Sequence, residues 1–310
     1  MDRLSTKHFI GLEDATVNDI NLIINTALTF REILDRPIKK VPSLKGINIV
    51  NLFFENSTRT KLSFELAEKR LSADVLNFSA SSSSLNKGES LRDTVQNIQA
   101  MKIDCAVMRH PVPGSCKQLT EYLDCPIVNA GDGTHEHPTQ AMLDITSIYE
   151  KFGKIKGLKV VIVGDILHSR VAMSNIFGLK TMGAEVMLCG PSHLIPKYIS
   201  DFGVEISHNI DKALEWGDVI NILRIQRERM GIGLIPSIRE YRELFGITKE
   251  RIQKLNKEII IMHPGPINRG VEVDSYVADS EQSIILNQVL NGVAVRMSIL
   301  YLLLGANNED

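Results

Sequence analysis

Four polar residues in a row, Ser57, Thr58, Arg59 and Thr60, separate an apolar run from an amphipathic pattern. If the run is a strand and the pattern a helix, these residues stand at the helix N-terminus. Backbone N–H groups there lack intrahelical partners, and the helix dipole is positive. Three hydroxyls and a forked cation at that position predict a phosphate site. The alternative is a Ser/Thr helix cap beside a solvated arginine.

Two further apolar runs end in residues that can contact an anion. CAVMRHP carries Arg109, and IVNAGDGTHEHPTQ ends with His137 and Gln140. Pro138 suits the first turn of a helix, which would place His137 at the helix cap, facing the strand ends. A histidine before proline is also common as a purely structural cap. His135 and His137 lack a third ligand at suitable spacing, so the sequence predicts no metal site.

The second half of the chain carries arginines after its apolar runs. VVIVGDILHSR has one glycine, Gly164, where a dinucleotide turn has three, and it ends in Arg170. NILRIQ places Arg224 and Gln226 after another run. Two arginines suit a substrate with two carboxylates, because arginine binds carboxylate bidentately, although surface salt bridges are the alternative. The HPGP turn at 263–266 can present carbonyl oxygens or serve as a tight connection.

Short apolar runs alternate with amphipathic stretches along the chain, which indicates parallel sheets covered by helices on both faces. This alternation of apolar and amphipathic segments starts again near residue 150, which predicts a second α/β domain. Helical patterns cover 16–34 and about 283–304. Ligands of such sheets bind beyond the carboxyl ends of the strands, where the polar residues above occur. The expected strands are 47–53, 74–78, 104–108, 126–129, 157–165, 185–189, 218–223 and 259–262.

Composition is that of a soluble globular protein, with 310 residues, 44% hydrophobic and 23% charged. A formal charge of -2 gives no reason to expect nucleic acid or an anionic membrane surface as a partner. The N-terminus does not resemble a signal peptide, and no stretch is expected to reach the ~20 apolar residues of a membrane span. The four cysteines lack paired spacing and are expected to be reduced and buried, in the cytoplasm.

Six motifs together carry a resemblance to a known family. FFENSTRT, MRHP, GDGTHEHPTQ, GDILHSR, LRIQRER and HPGPINRG occur in this order over essentially the whole chain. The chain resembles the aspartate/ornithine carbamoyltransferase family, and its last motifs resemble the catalytic chains that use aspartate. A Ser-Met-Gly loop and a His-Cys-Leu-Pro motif, as in the ornithine enzymes, are not found. Two arginines would also repel the cationic side chain of ornithine.

The resemblance implies a fold and a reaction. The fold is α/β with two domains, each a parallel sheet flanked by helices, and with the active site between them. Residues 1–150 would bind carbamoyl phosphate, joined by a C-terminal helix at about 285–310, and residues 151–284 would bind aspartate. The implied reaction transfers the carbamoyl group of carbamoyl phosphate to the amine of L-aspartate, early in pyrimidine biosynthesis. No cofactor is implied.

The resemblance also assigns the site residues by their place in the motifs. Arg59, Thr60 and His137 would polarise the carbonyl oxygen of carbamoyl phosphate. The residues implied to contact carbamoyl phosphate are Ser57, Thr58, Arg59, Thr60, Arg109, His137, Gln140 and the main chain of Gly265 and Pro266. The residues implied to contact aspartate are Arg170, Arg224 and Gln226.

A serine-rich segment, SASSSSLNKGES at 79–90, is expected to be an exposed, mobile loop, because its small polar side chains cannot build a core. The resemblance gives this loop a role in a neighbouring subunit. Ser84 would reach carbamoyl phosphate there, and Lys87 would serve catalysis and aspartate binding. A homotrimer with C3 symmetry and shared active sites follows. Regulatory or dihydroorotase chains are possible further partners.

Two other functions stay open at this stage. The first is a carbamoyltransferase with another acceptor, such as ornithine or an acylated ornithine, which a comparison of acceptors would reveal. The second is a non-catalytic α/β protein that binds phosphate or a nucleotide. Calorimetry separates the second from the enzyme, since only the enzyme would bind aspartate after carbamoyl phosphate.

Overall fold

The computed structural model describes residues 3–79, 90–225 and 237–305. The chain divides into two compact units. The first contains the residues up to Thr146 and those from Leu290 onward, and the second runs from Ser147 to Val289.

The first unit contains a sheet of parallel strands with helices packed on it. The strands at 48–53, 105–110 and 127–132 are buried almost along their whole length, whereas the edge strand that begins at residue 74 is largely exposed. The strands are β1 (Asn48–Phe53), β2 (Asp74–Ser79), β3 (Cys105–His110) and β4 (Ile127–Asp132). The helices that begin in this unit are α1 (Val17–Leu34), α2 (Thr58–Arg70), α3 (Leu91–Ala100), α4 (Ser115–Leu119) and α5 (Pro138–Phe152).

The second unit repeats this plan with a larger parallel sheet. Its strands are β5 (Lys159–Val163), β6 (Glu185–Cys189), β7 (Glu205–Ser207), β8 (Val219–Ile222) and β9 (Ile260–Met262). Its helices are α6 (Arg170–Thr181), α7 (Ile210–Trp216), α8 (Ile238–Phe245), α9 (Lys249–Lys254), α10 (Ser275–Ala278) and α11 (Ile285–Leu304), the last of which continues into the first unit. Two short 3-10 helices, Ser192–Leu194 and Ile199–Phe202, precede β7.

Strand order places a topological switch point in each sheet. The orders are β2-β1-β3-β4 and β7-β6-β5-β8-β9, with all pairs parallel. The chain leaves β1 toward β2 on one side, while β3 pairs on the other, and β5 stands in the same relation to β6 and β8. Crevices for ligands form at the carboxyl ends of strands at such points. The predicted fold class, parallel sheets flanked by helices in two domains, is confirmed.

The helix α11 is the one helix among the described residues that is long and apolar enough to cross a membrane. The expectation that no stretch reaches this length is therefore wrong by length and composition. Its most apolar 18-residue window is 72% buried inside the protein, as in the core helix of a soluble protein. Within the first unit, Ser298 donates a hydrogen bond of 2.9 Å to the carbonyl of Ile23 on α1. This contact ties α11 into the core.

Candidate active site

The helix α2 begins directly beyond the end of β1, as the sequence predicts. Ser57 is its N-cap, with extended backbone angles (φ -157°, ψ 96°), and Thr58 is the first helical residue. In the described part of the chain, the Ser57 side chain makes no capping hydrogen bond. Six other polar N-caps do accept from the first helical turn: Thr16, Ser90, Ser169, Asn209, Ser237 and Thr248. The capping alternative therefore fails for Ser57, and the arrangement suits an anion.

Arg109 lies on the strand next to β1, one residue from the end of β3. The strand register pairs it with Phe53, so both residues stand at the same edge of the sheet. Its Nη1 donates a hydrogen bond of 3.1 Å to the carbonyl of Ala130, and its Nη2 lies 3.4 Å from Oε1 of Glu55. These contacts hold the guanidinium beside the switch point of the first sheet.

A buried polar network shapes the loop between β4 and His137. Asp132 accepts hydrogen bonds from Nδ2 of Asn129 (2.8 Å) and from the amide of Gly114 (2.8 Å), and it lies 3.1 Å from Nδ1 of His135. Burial alone would raise the pKa of Asp132, but the hydrogen bonds from His135 and Asn129 hold this pKa below its usual value. Asp132 therefore stays ionised and fixes the loop that leads to His137.

His137 and Gln140 stand at the start of α5, next to the end of β4. His137 is buried and immediately precedes Pro138, the first residue of the helix. The amide of Gln140 donates to the carbonyl of His137 (2.9 Å), and its side-chain Nε2 donates to Oδ1 of the buried Asp144 (3.0 Å). The sequence reading missed Asp144, although a spacing of four on a helix was a signal for this contact.

Arg296 is a buried cation of the first unit. Its Nη1 donates to Oγ of Ser63 on α2 (3.0 Å) and to the carbonyl of Gly292 (2.8 Å), and the guanidinium lies 5.0 Å from the centre of the Phe64 ring. Burial lowers the pKa of Arg296 to about 10, and Asp144 opposes that change. Arg296 therefore stays positively charged at neutral pH and holds α2 to α11.

Arg170 and Arg224 stand beyond neighbouring strands of the second sheet. Arg170 is the first residue of α6, which follows β5, and it is buried. Arg224 follows β8 by two residues and is half-buried. Gly164, directly after β5, has φ +125°, and a Cβ there would lie 3.0 Å from the carbonyl oxygen of Leu223, directly after β8. A residue without a side chain allows this close approach at the second switch point.

The HPGP turn follows β9, which pairs with β8. Gly265 has φ +69°, and its peptide bond to Pro266 is cis. The sheet therefore carries Arg170, Arg224 and this turn at the ends of three successive strands. Ser84, Lys87 and Gln226, with the rest of segments 80–89 and 226–236, lie outside the described residues.

In addition to the strand-end side chains, the described residues include possible metal ligands and four cysteines. Within residues 3–79, 90–225 and 237–305, no group of three metal-ligating side chains occurs. Cys105, Cys116 and Cys189 are buried as expected, whereas Cys125 is half-buried. Burial raises the pKa of Cys125 to about 11 and that of Cys189 to about 12. Both thiols are therefore protonated at neutral pH and are poor nucleophiles.

Both halves of the chain match the domains of one known protein family. Residues 7–150 match the carbamoyl-P binding domain of the aspartate/ornithine carbamoyltransferases, and residues 156–303 match their Asp/Orn binding domain. The aspartate carbamoyltransferase catalytic subunit of Cytophaga hutchinsonii is 62% identical over 305 residues, covering 98% of this chain and 99% of that protein.

Solved structures give the same result. Aspartate transcarbamoylase of Trypanosoma cruzi, in complex with N-(phosphonacetyl)-L-aspartic acid, superposes with a TM-score of 0.88 at 31% identity, covering 97% of each chain. Ornithine carbamoyltransferase of Pyrococcus furiosus has a TM-score of 0.85 at 28% identity, covering 98% of this chain and 99% of that one. The fold is therefore common to enzymes with different acceptors. The acceptor must be determined by the side chains of the site and not by the fold.

Proposed function

Because the chain belongs to the aspartate/ornithine carbamoyltransferase family, we propose that it transfers the carbamoyl group of carbamoyl phosphate to the amine of L-aspartate. The products are N-carbamoyl-L-aspartate and phosphate, and the reaction is an early step of pyrimidine biosynthesis. The observation that carries the proposal is the N-terminus of α2, where Ser57 leaves the first helical turn uncapped by its side chain within the described residues.

The donor is held by the ends of β1, β3 and β4. Ser57, Thr58 and the first amides of α2 bind the phosphoryl group, since helix N-termini favour anions. Arg109 adds charge beside them, one strand away. Arg59, Thr60 and His137 donate to the carbonyl oxygen, and Gln140, oriented by Asp144, contacts the carbamoyl group.

The acceptor is held by the second unit. Arg170 and Arg224 stand after neighbouring strands, where two forked cations bind the two carboxylates of aspartate. Gln226 joins them in this proposal. Ornithine carries a cationic side chain in place of the second carboxylate and is disfavoured by the same pair of charges. The high identity to an aspartate carbamoyltransferase catalytic subunit favours the same acceptor.

The chemical step is attack of the neutral aspartate amine on the carbonyl carbon of carbamoyl phosphate. A tetrahedral intermediate with an oxyanion forms, and the C–O bond to phosphate then breaks. The departing phosphate accepts the amine proton, so no covalent enzyme intermediate is required. Fixed positive charge and alignment of two bound substrates supply most of the rate. The main-chain carbonyls of Gly265 and Pro266 hold the carbamoyl NH2 and the amine.

Assembly completes the proposed site. Ser84 and Lys87 are contributed by a neighbouring subunit, which makes the enzyme a cytoplasmic homotrimer with C3 symmetry and shared sites. The mass of the native assembly from cell extract decides between this trimer alone and a larger complex with regulatory or dihydroorotase chains.

A comparison of acceptors tests the function directly. The purified chain is supplied with carbamoyl phosphate and either L-aspartate or L-ornithine, and the carbamoylated product and released phosphate are both measured. Carbamoylated product is expected with aspartate and not with ornithine. Product with ornithine alone would reassign the acceptor. Calorimetry adds a second criterion, because aspartate should bind only after a carbamoyl phosphate analogue, and binding of a nucleotide alone would favour a non-catalytic module.

A further inference from the structure

His263 joins the end of β9 to the HPGP turn through three hydrogen-bonding groups. Its side chain is fully buried. Its backbone amide donates to Oε1 of Gln288 (2.9 Å). On the ring, Nδ1 lies 2.7 Å from the amide nitrogen of Gly265, and Nε2 lies 3.3 Å from Oε1 of Glu272. The imidazole therefore stands between the turn and a buried carboxyl group.

These partners fix the tautomer of the ring. A backbone N–H can only donate, so Nδ1 of His263 must accept from Gly265 and carries no proton. In the neutral imidazole the proton is then on Nε2, which donates to the Glu272 carboxylate. In the other tautomer, the Nδ1 proton would face the N–H of Gly265 and the Nε2 lone pair would face a carboxylate oxygen of Glu272.

Glu272 forms hydrogen bonds on both sides of the same turn. It is buried, and its Oε1 accepts from the His263 ring and from the amide of Asn268 (2.5 Å). Its Oε2 has no hydrogen-bond partner among the described residues. A buried carboxylate is costly unless its hydrogen bonds are satisfied. The side-chain bonds that it does make fall on the two ends of the segment that contains Gly265 and Pro266.

We propose that His263 is a positioning residue for the reaction, which holds the amide of Gly265 and thereby aims the carbonyls of Gly265 and Pro266. This inference rests on the proposed function, in which those carbonyls hold the carbamoyl NH2 and the attacking amine. Glycine restricts its own backbone less than any other residue, and Gly265 has φ +69°. The orientation of its peptide groups therefore depends on an external acceptor, which is Nδ1 of His263.

Two substitutions separate the two edges of the ring. In His263→Asn, a side-chain carbonyl replaces Nδ1 as the acceptor for Gly265, but Glu272 loses its donor. In His263→Gln, the longer amide can still donate to Glu272, but Gly265 loses its acceptor. His263→Gln is expected to be the more thermostable variant and to lose on the order of a hundredfold in kcat. His263→Asn is expected to melt lower but to keep kcat within about tenfold of the unsubstituted enzyme.

The decisive result is that the more thermostable variant, His263→Gln, has the lower kcat. If His263→Gln keeps more kcat than His263→Asn, His263 acts through stability alone and the proposal is overturned. His193→Gln, at an exposed position of the same unit, is the matched control and should change neither quantity. Thermal denaturation and steady-state kinetics of the full chain supply both measurements.

A spectroscopic measurement keeps this proposal separate from the proposed function. In 15N NMR of histidine-labelled, unsubstituted protein, the His263 ring should show a proton on Nε2 and none on Nδ1. A proton on Nδ1 overturns the positioning role, even where variants fail to fold. Absence of carbamoyl transfer by the unsubstituted chain, with the expected tautomer present, would overturn the proposed function and leave the His263 geometry standing.

Discussion

Asn51 on β1 donates a hydrogen bond of 2.8 Å from Nδ2 to Oε2 of Glu68 on α2, and both side chains are completely buried. Burial raises the pKa of Glu68 to about 8. The other two oxygens of this pair, Oε1 of Glu68 and Oδ1 of Asn51, have no partner among the described residues. At neutral pH the carboxyl group is therefore mostly protonated, and it can donate to the acceptor that Asn51 leaves open.

The stability of the fold should decrease as pH rises because of Glu68. The folded chain holds this proton up to about pH 8, whereas the unfolded chain releases it near 4.5. The stabilisation from this proton is full below about pH 4.5 and is lost as pH rises from there to about 8. The loss in free energy of unfolding is on the order of a few kcal/mol. Glu68→Gln keeps an acceptor for Nδ2 of Asn51 and adds an N–H donor, but it carries no titrating proton. Urea denaturation at pH 5 and pH 8 should therefore show a smaller pH difference for the variant than for the unsubstituted chain.

Glu65→Gln on the same helix is the control for this measurement. Its hydrogen bond with Lys69 lowers the pKa of Glu65, so Glu65 is ionised at both pH values. This variant should keep the pH difference of the unsubstituted chain. An equal pH difference in Glu68→Gln and the unsubstituted chain would show that Glu68 is already ionised in the folded state.

Arg59→Ala tests the proposed donor site. Arg59 is exposed at the start of α2 and is proposed to stabilise the oxyanion. Loss of such a donor typically lowers kcat by about 10²–10³, and the second role of Arg59 beside the phosphate should add to this loss. Arg36→Ala, at another exposed arginine of the first unit, should leave kcat unchanged. Near-normal turnover of a correctly folded Arg59→Ala chain would remove Arg59 from the mechanism.

Strand ends were predictable because apolar runs and the polar residues after them are local in sequence. The strands β3 and β4 nevertheless continue to His110 and Asp132, beyond the expected ends at 108 and 129. Their last residues are polar but remain paired with the neighbouring strand. A pattern of apolar residues does not show where such pairing ends. The strand β7 was missed, because its three residues lie at the sheet edge with two of them exposed. The family predicted from the six motifs is confirmed.

The buried polar contacts between distant parts of the chain were not predictable from the sequence. Arg296 and Ser63 are 233 residues apart, and Leu12 and Glu136, whose carboxylate accepts from the Leu12 amide, are 124 apart. Periodicity reports which face of an element is apolar, but it does not report which distant polar group meets a buried one. The placement of every proposed contact to substrate stays a prediction for the same reason.

Arg224→Gln tests the acceptor site separately from the donor site. A neutral amide replaces one of the two proposed carboxylate partners, which costs about 1.5–3 kcal/mol of aspartate binding, or roughly ten- to a hundredfold in KM for aspartate. Affinity for a carbamoyl phosphate analogue should stay unchanged by calorimetry. Arg239→Gln, whose side chain is 89% exposed on α8, is the matched control. An equal loss of both affinities would indicate a general disturbance of the fold.

Shared active sites predict that two inactive chains can restore each other. In a trimer of mixed Lys87→Ala and Arg59→Ala chains, some sites combine the intact donor residues of one subunit with the intact Lys87 of its neighbour. Such sites carry neither substitution and should regain the activity of the unsubstituted enzyme, whereas each variant alone stays inactive. Activity is measured before and after subunit exchange, with exchange verified by native mass spectrometry of chains that carry different tags. If mixed trimers form and stay inactive, Lys87 acts within its own subunit, because no arrangement of substituted chains then yields a complete site.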